Sequence, residues 1–296
     1  MNDAVRRMLQ RYQTTTHAEA ERALREILQE ITLVGLWRGK FFEHAAFYGG
    51  TALRILYGLD RFSEDLDFTL LDTKQTFDWS IFERNVTEEL SSYGFEVNFS
   101  EKKKSTETAV QSAFLKTNTR HALLQIGVKG PSNSGIHPDA LIRIKVEIDS
   151  NPVLGFHVEP IYLREPLPVS IRVVKESSLF AGKIHAALYR AWKQRVKGRD
   201  WYDLVWFLRR NVPLNPHYLA ECMRAGGELA QDETLTVERV KQLLNTRVGE
   251  INLNAAKDDV RPFVRDPTQI DLWSVDFFRH WISLLRFDPE LTPPAL

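Results

Sequence analysis

The chain has 296 residues, 43% hydrophobic and 26% charged, and its 39 basic residues balance its 39 acidic ones; this is a globular composition, long enough for one large domain or two ordinary ones. Zero net charge excludes a global field for polyanions, so any nucleic-acid surface has to be a local patch. The single cysteine, Cys222, excludes an internal disulfide or a thiolate metal cage; no apolar run reaches the ~18 residues of a membrane span and no signal-peptide core follows Arg6, Arg7 and Arg11, so the cytoplasm is the expected compartment.

Residues 1 to about 48 read as helical. Ala20, Leu24, Ile27, Leu28, Ile31 and Val34 recur at three and four, the stripe of an amphipathic helix that covers a core. Thr14 to Thr16 offer N-caps, and Glu19 and Glu21 suit a first turn.

Gly49-Gly50-Thr51 then closes an apolar stretch and opens a short helical run, Ala52 to Tyr57. After thirteen intervening residues, 52–64, stands Asp65-Leu66-Asp67-Phe68. On a strand the period of two puts Asp65 and Asp67 on one face and Leu66 and Phe68 on the other. Two carboxylates side by side repel unless a cation lies between them, and Mg²⁺ with its hard oxygen ligands suits that place. Glycines at the turn let backbone N–H groups approach a phosphate, and a helix N-terminus adds a favourable field. A phosphate cradle followed by a paired metal site is what nucleotidyl transfer requires. Asp-x-Asp alone is more often a solvated strand edge and Gly-Gly alone a turn; their combination at this spacing carries the reading.

The spacing resembles the first motif of the polymerase-β-like nucleotidyltransferases, and Arg61-Phe62-Ser63-Glu64-Asp65-Leu66-Asp67-Phe68 resembles the abortive-infection toxins of the AbiEii/AbiGii type, which include mycobacterial toxins that modify tRNA. The resemblance implies an α+β fold, with a mixed-sheet nucleotidyltransferase core followed by a helical C-terminal domain. It also implies Mg²⁺-dependent transfer of a nucleotide from an NTP to the 3′ end of tRNA, and a cognate antitoxin encoded nearby. Gly49, Gly50, Thr51 and Ser63 would lie near the nucleotide phosphates.

Residues 76 to 93 read as a helix stopped by Gly94. Alternation around 95–99, 108–115, 122–128 and 141–148 predicts strands. Lys102-Lys103-Lys104 reads as a solvated hairpin tip. In the strand ending Lys145-Val146-Glu147-Ile148-Asp149, the resemblance implies that Glu147 or Asp149 supplies a third carboxylate to the metal, Glu147 preferred; salt bridging with Arg143 and Lys145 is the competing reading.

Prolines concentrate between 150 and 170, and the expected division is a core over 1–170 and a helical domain over 171–296. In the latter, Ser177-Ser178 is expected to cap a helix carrying Lys183 among alanines and leucines, where a lysine needs an anionic partner. Arg199-Asp200-Trp201-Tyr202-Asp203-Leu204 opens another helix, with Asp200 and Asp203 on one face. The resemblance extends here and implies that Lys183 contacts the nucleotide phosphates and that Asp200 or Asp203 completes the catalytic site. A helix-end charge for Asp200 and pairing with Arg199 for Asp203 are the structural alternatives. Lys183, Arg190, Lys193, Arg195, Lys197 and Arg199 form a run without an acid before Asp200, and Lys193 to Arg199 is the expected RNA contact.

Further on, Asn215-Pro216, Thr236-Val237 and Asp271-Leu272 read as helix starts, Gly226-Gly227 as a helix end and Asp258-Asp259 as a loop. Rival functions are nucleotidylation of a protein acceptor and a non-catalytic nucleic-acid-binding protein on the same fold. A zinc hydrolase lacks support, because the histidines show no i, i+4 pair and there is one thiol.

Overall fold

The computed structural model describes residues 2–73, 77–102, 109–126, 137, 139–190 and 196–291, and no side chain at 102, 124 or 125. Two compact units emerge: one is residues 1–58, 62–152 and 159–173, the other 59–61, 153–158 and 174–296.

The first unit opens with α1 (Asp3–Leu9) and α2 (His17–Arg38). Thr16 caps α2 in a capping box with Glu19. A 3₁₀ turn (Phe41–Glu43) leads to β1 (Ala45–Tyr48), α3 (Gly49–Tyr57) and β2 (Leu66–Leu70). The helical expectation for residues 45–48 is thereby corrected: this apolar tetrad is a central strand between β2 and β7, and with Ala45, Ala46 and Phe47 all buried it reads as a continuous apolar run.

α4 (Ser80–Ser92) ends before Gly94, at φ 89°. Then come β3 (Asn98–Lys102), β4 (Val110–Asn118), α5 (Thr119–Gln125), β5 (Leu141–Asp149), β6 (Val158–Leu163) and β7 (Val169–Val174). The strand expected over 122–128 is a helix as far as it is described; the Asn118 side chain accepts from His121 N and starts a helical turn. Residues 103–108 and 127–136 lie outside the described residues, and with them Lys103, Lys104 and the ends of two expected strands.

The strands form one mixed sheet in the order β3-β4-β5-β2-β1-β7-β6. β2 runs parallel to β5 and antiparallel to β1; β4 runs antiparallel to both β5 and β3. Leu66 and Phe68 of β2, Ile142, Ile144, Val146 and Ile148 of β5, and Ala113 and Leu115 of β4 turn to a core shared with Leu24, Ile27, Ile31 and Val34 of α2 and Val86 and Leu90 of α4. The alternation seen in the sequence therefore separates a helix-covered face from a polar one. Arg25 of α2 donates from Nη1 to Arg143 O at 2.6 Å, fixing the helix to β5.

The second unit is helical: α6 (Glu176–Tyr189), α7 (Gly198–Arg209), α8 (Pro216–Gly226), α9 (Val237–Glu250), α10 (Leu253–Val260), α11 (Thr268–Asp271) and α12 (Val275–Ser283). Asn215, Thr236, Asn252 and Ser274 cap α8, α9, α10 and α12 with their side chains. Three expectations are corrected here. α6 begins at Glu176, so Ser177 and Ser178 lie in its first turn; Ser178 Oγ accepts from His157 N and Asn215 Nδ2 instead of capping. Asp258 and Asp259 are helical, because Asn252 caps the segment and Ala256 and Val260 are buried four residues apart. The start foreseen at Asp271 falls at Val275.

Candidate active site

The segment before β2 is held from below. Gln29, buried on α2, donates from Nε2 to Ser63 O at 3.3 Å and Glu64 O at 2.9 Å. Thr51 donates its hydroxyl to Asp65 O. The Phe62 ring lies against two guanidinium groups, Arg22 and Arg54, each 5.1 Å from its centroid. Arg54 is itself tied to Glu26 at 3.0 Å. The backbone that delivers Asp65 and Asp67 thus rests on a buried amide, a buried threonine and a stacked aromatic ring.

Leu66 and Phe68 are fully buried, Asp67 between them is half-buried on the other side of the strand, and Asp65, the residue before the strand, is half-buried as well. Asp67 is level with Tyr48 of β1 and Glu147 of β5. Its carboxylate lies against Gly49, where a Cβ would come within 2.5 Å of Oδ2, and Gly49 has φ 81°. Only glycine satisfies both conditions. α3 starts at that residue with no side-chain cap from Tyr48. Gly50 and Thr51 occupy its first turn, so amide groups and the positive end of a helix lie at the Asp67 carboxylate.

Glu147, the expected third metal ligand, is Asp67's neighbour on the next strand, but its oxygens are engaged elsewhere. Lys145 Nζ lies 2.6 Å from Oε2, and Ser112 Oγ donates to Oε1 at 3.0 Å. Asp149, two residues on, is half-buried, and burial raises its carboxyl above the ordinary value against a hydrogen bond from Asn151 N. Among the described residues no group of three or more His, Cys, Asp or Glu side chains converges to hold a metal ion. The three-carboxylate set of Asp65, Asp67 and Glu147 is therefore not gathered; the paired aspartates are the donors that fit a hard cation.

In the helical unit, Lys183 does have the anionic partner its apolar helix demands. Its Nζ is 2.7 Å from Asp203 Oδ2 and 4.0 Å from Asp200 Oδ1. Asp203 does not pair with Arg199. It receives a two-pronged grip from Arg61, with Nε to Oδ1 at 2.6 Å and Nη2 to Oδ2 at 2.7 Å, all of it buried. Burial alone would raise the Asp203 carboxyl, but Arg61 and Lys183 outweigh it and hold it below its ordinary value. Asp200 accepts from Arg190 Nη1 at 3.2 Å. Beside them, Tyr202 donates to Asp60 at 2.7 Å. Arg61 was legible in the motif, but its role was not: nothing local marks a partner 142 positions away.

Of the expected RNA contacts, Lys193 and Arg195 lie outside the described residues. Lys197 is half-buried, and burial, then Arg190, lowers its ammonium below the ordinary value. Arg199 stacks on Phe263, 4.2 Å from the ring centroid.

The family model described as "Nucleotidyl transferase AbiEii toxin, Type IV TA system" matches residues 31–280. No curated protein matches the chain. Among solved structures, JHP933 from Helicobacter pylori is 15% identical with a TM-score of 0.48, the alignment covering 88% of each chain. A "putative nucleotidyltransferase" from H. pylori is 16% identical with a TM-score of 0.43, covering 87% of this chain and 89% of that one.

Proposed function

This chain belongs to the AbiEii nucleotidyltransferase toxin family of type IV toxin–antitoxin systems, and from that premise we propose that it transfers a nucleoside monophosphate from an NTP to an RNA hydroxyl, the 3′ end of a tRNA above all. The observation that carries the proposal is the Asp65–Asp67 pair, presented at the start of β2 with Asp67 against the Gly49 turn. A bound divalent cation, Mg²⁺ in this reading, would supply charge neutralisation to the triphosphate, with Asp65 and Asp67 as its protein ligands and phosphate oxygens and water completing the shell. Two carboxylates suffice for such a cation, which leaves Glu147 to orient Lys145.

The chain's own residues do the positioning that phosphoryl chemistry asks of a protein. The amide groups of Gly49, Gly50 and Thr51 face the phosphates, with Ser63 beside them. The acceptor hydroxyl releases its proton to water as its oxygen attacks the α-phosphorus, the bond from that phosphorus to the α,β-bridging oxygen breaks, and pyrophosphate leaves with the bond's electron pair. Lys183 is the proposed cation for the triphosphate and Asp200 the carboxylate beside it, while Asp203 holds Lys183 in place. The RNA contacts proposed from the helical unit are Lys193, Arg195, Lys197 and Arg199. An antitoxin is the expected protein partner and the cytoplasm the proposed compartment; among the described residues no helix is long and apolar enough to cross a membrane.

Incubation with each labelled NTP, total tRNA and Mg²⁺ tests the proposal. The wild type should label RNA, and Asp65→Ala should lose the labelling by at least ~10³-fold with an unchanged circular-dichroism spectrum. Labelling of protein instead of RNA would favour the alternative acceptor, and an Asp65→Ala protein as active as wild type would overturn the site.

A further inference from the structure

The polar face of the sheet continues well beyond the two aspartates. Paired residues on neighbouring strands share a face, so the ladder can be read row by row. Asp67 is level with Glu147 and Ser112. The next row holds Lys145 and, opposite it, Phe114 and Ser100; Asp65 comes directly before the Leu66–Val146 pair that ends the β2 ladder. The row after that holds Arg143, Lys116 and Asn98.

The side chains agree with the ladder. Lys145 and Ser112 both reach Glu147, and the Lys116 ammonium stands over the Phe114 ring at 5.8 Å. Phe114 is half-buried and Arg143 exposed. A depression of about 350 Å³ lies here, lined by Ser100, Glu101, Phe114, Lys116 and Arg143, two cations against one acid. The buried side of the same strands is apolar, as a sheet covered on one face requires.

An aromatic ring on a polar sheet face, flanked by cations, is a platform for a base whose phosphates need neutralising. We infer that this face receives the single-stranded 3′ end of the acceptor RNA, with a base stacked on Phe114 and phosphates at Lys116 and Arg143. The inference rests on the RNA-acceptor reading above. Its direction follows from the order of groups. Phe114 lies two strands from β2, about 10 Å at the usual strand spacing, and the cations Lys116, on the ring's own strand, and Arg143, on β5, lie one row further along the strands from Asp67. A mononucleotide bound by its triphosphate at the aspartates has no phosphates on the far side of its base, whereas a polynucleotide does. Lys145, held by Glu147, is on β5, the strand between the ring and β2.

Fluorescence anisotropy with a labelled 12-mer single-stranded RNA tests this, alongside calorimetric binding of an NTP with Mg²⁺. Phe114→Ala and Arg143→Glu should each weaken oligonucleotide binding about tenfold or more, while NTP affinity stays within about twofold. Arg143 is exposed, so its variant reports even if Phe114→Ala perturbs the fold; Phe114→Tyr, which keeps a ring, should restore binding. Unchanged oligonucleotide affinity in both variants overturns the inference, and an equal loss of NTP affinity reassigns the ring to the donor base and overturns it too. If the wild type binds the 12-mer through this face yet transfers nothing from any NTP, the catalytic proposal fails and the platform stands. If it transfers to protein and does not bind the 12-mer, the platform fails and nucleotidyl transfer stands.

Discussion

At the scale of single residues, the site depends most on an atom that is missing. Gly49 is kept without a Cβ by two independent demands: a φ of 81° and an Asp67 oxygen where the Cβ would sit. Gly49→Ala therefore has to rotate the backbone out of the left-handed region or displace the carboxylate. Either way the carboxylate moves by an ångström or so, and misplacement on that scale costs catalysis on the order of 10²-fold. The expected result is a folded protein whose transfer rate falls by about that factor, read in the labelled-NTP assay. Full activity in Gly49→Ala would show that Asp67 is not held where catalysis needs it.

At the scale of elements, alternation was readable along the chain, capping was readable at Thr16, Asn215 and Thr236 but not at Asn252 or Ser274, and partnership was not. The stripe of α2, the Asp-Leu-Asp-Phe alternation of β2 and the Ile142-to-Ile148 face of β5 appear in the sequence because each is a local period imposed by one buried side. Ala45–Tyr48 escaped because Ala45, Ala46 and Phe47 are all buried, and a strand covered on both faces carries no alternation. The parallel register that places Glu147 beside Asp67, and the Lys145 and Ser112 bonds that then occupy it, depend on strands brought together over about 80 residues, for which a single sequence holds no signal. The same is true of Arg61, which grips α7 through Asp203. Removing one partner from a buried pair leaves an uncompensated charge, a cost of about 3–5 kcal/mol, so Asp203→Ala should lower stability by that order in urea denaturation. Because Asp203 is held below its ordinary value, the stability it contributes is complete above the unfolded-state value of ~3.9 and is lost as pH falls below it. The wild type should therefore lose stability steeply below about pH 4, and Asp203→Asn should flatten that limb of the curve. An unchanged acid limb would mean the ion pairs are not coupled to folding.

At the scale of the molecule, a chain with no net charge would meet the proposed RNA acceptor through two local basic surfaces in place of a global field. Among the described residues they differ in what already neutralises them. Along the strip from Lys183 to Arg199, Lys183 is paired with Asp203 and Arg190 with Asp200, and Arg199 is stacked on Phe263. On the sheet face Lys145 is paired with Glu147, whereas Lys116 stands over Phe114 and Arg143 is exposed. A short single strand bound by the sheet face alone should thus release counterions at two to three phosphates, giving a slope of log affinity against log salt of about −1.4 to −2.1 at ~0.7 per contact. Arg143→Glu should reduce that slope by about 0.7 or more, while Lys197→Gln should leave the short strand's slope unchanged and lower only that of whole tRNA, which has enough backbone to engage the strip as well. Anisotropy titrations across a salt series read all three slopes. A short-strand slope steeper than about −4, or one that responds to Lys197→Gln and not to Arg143→Glu, would move the acceptor end from the sheet to the helical strip.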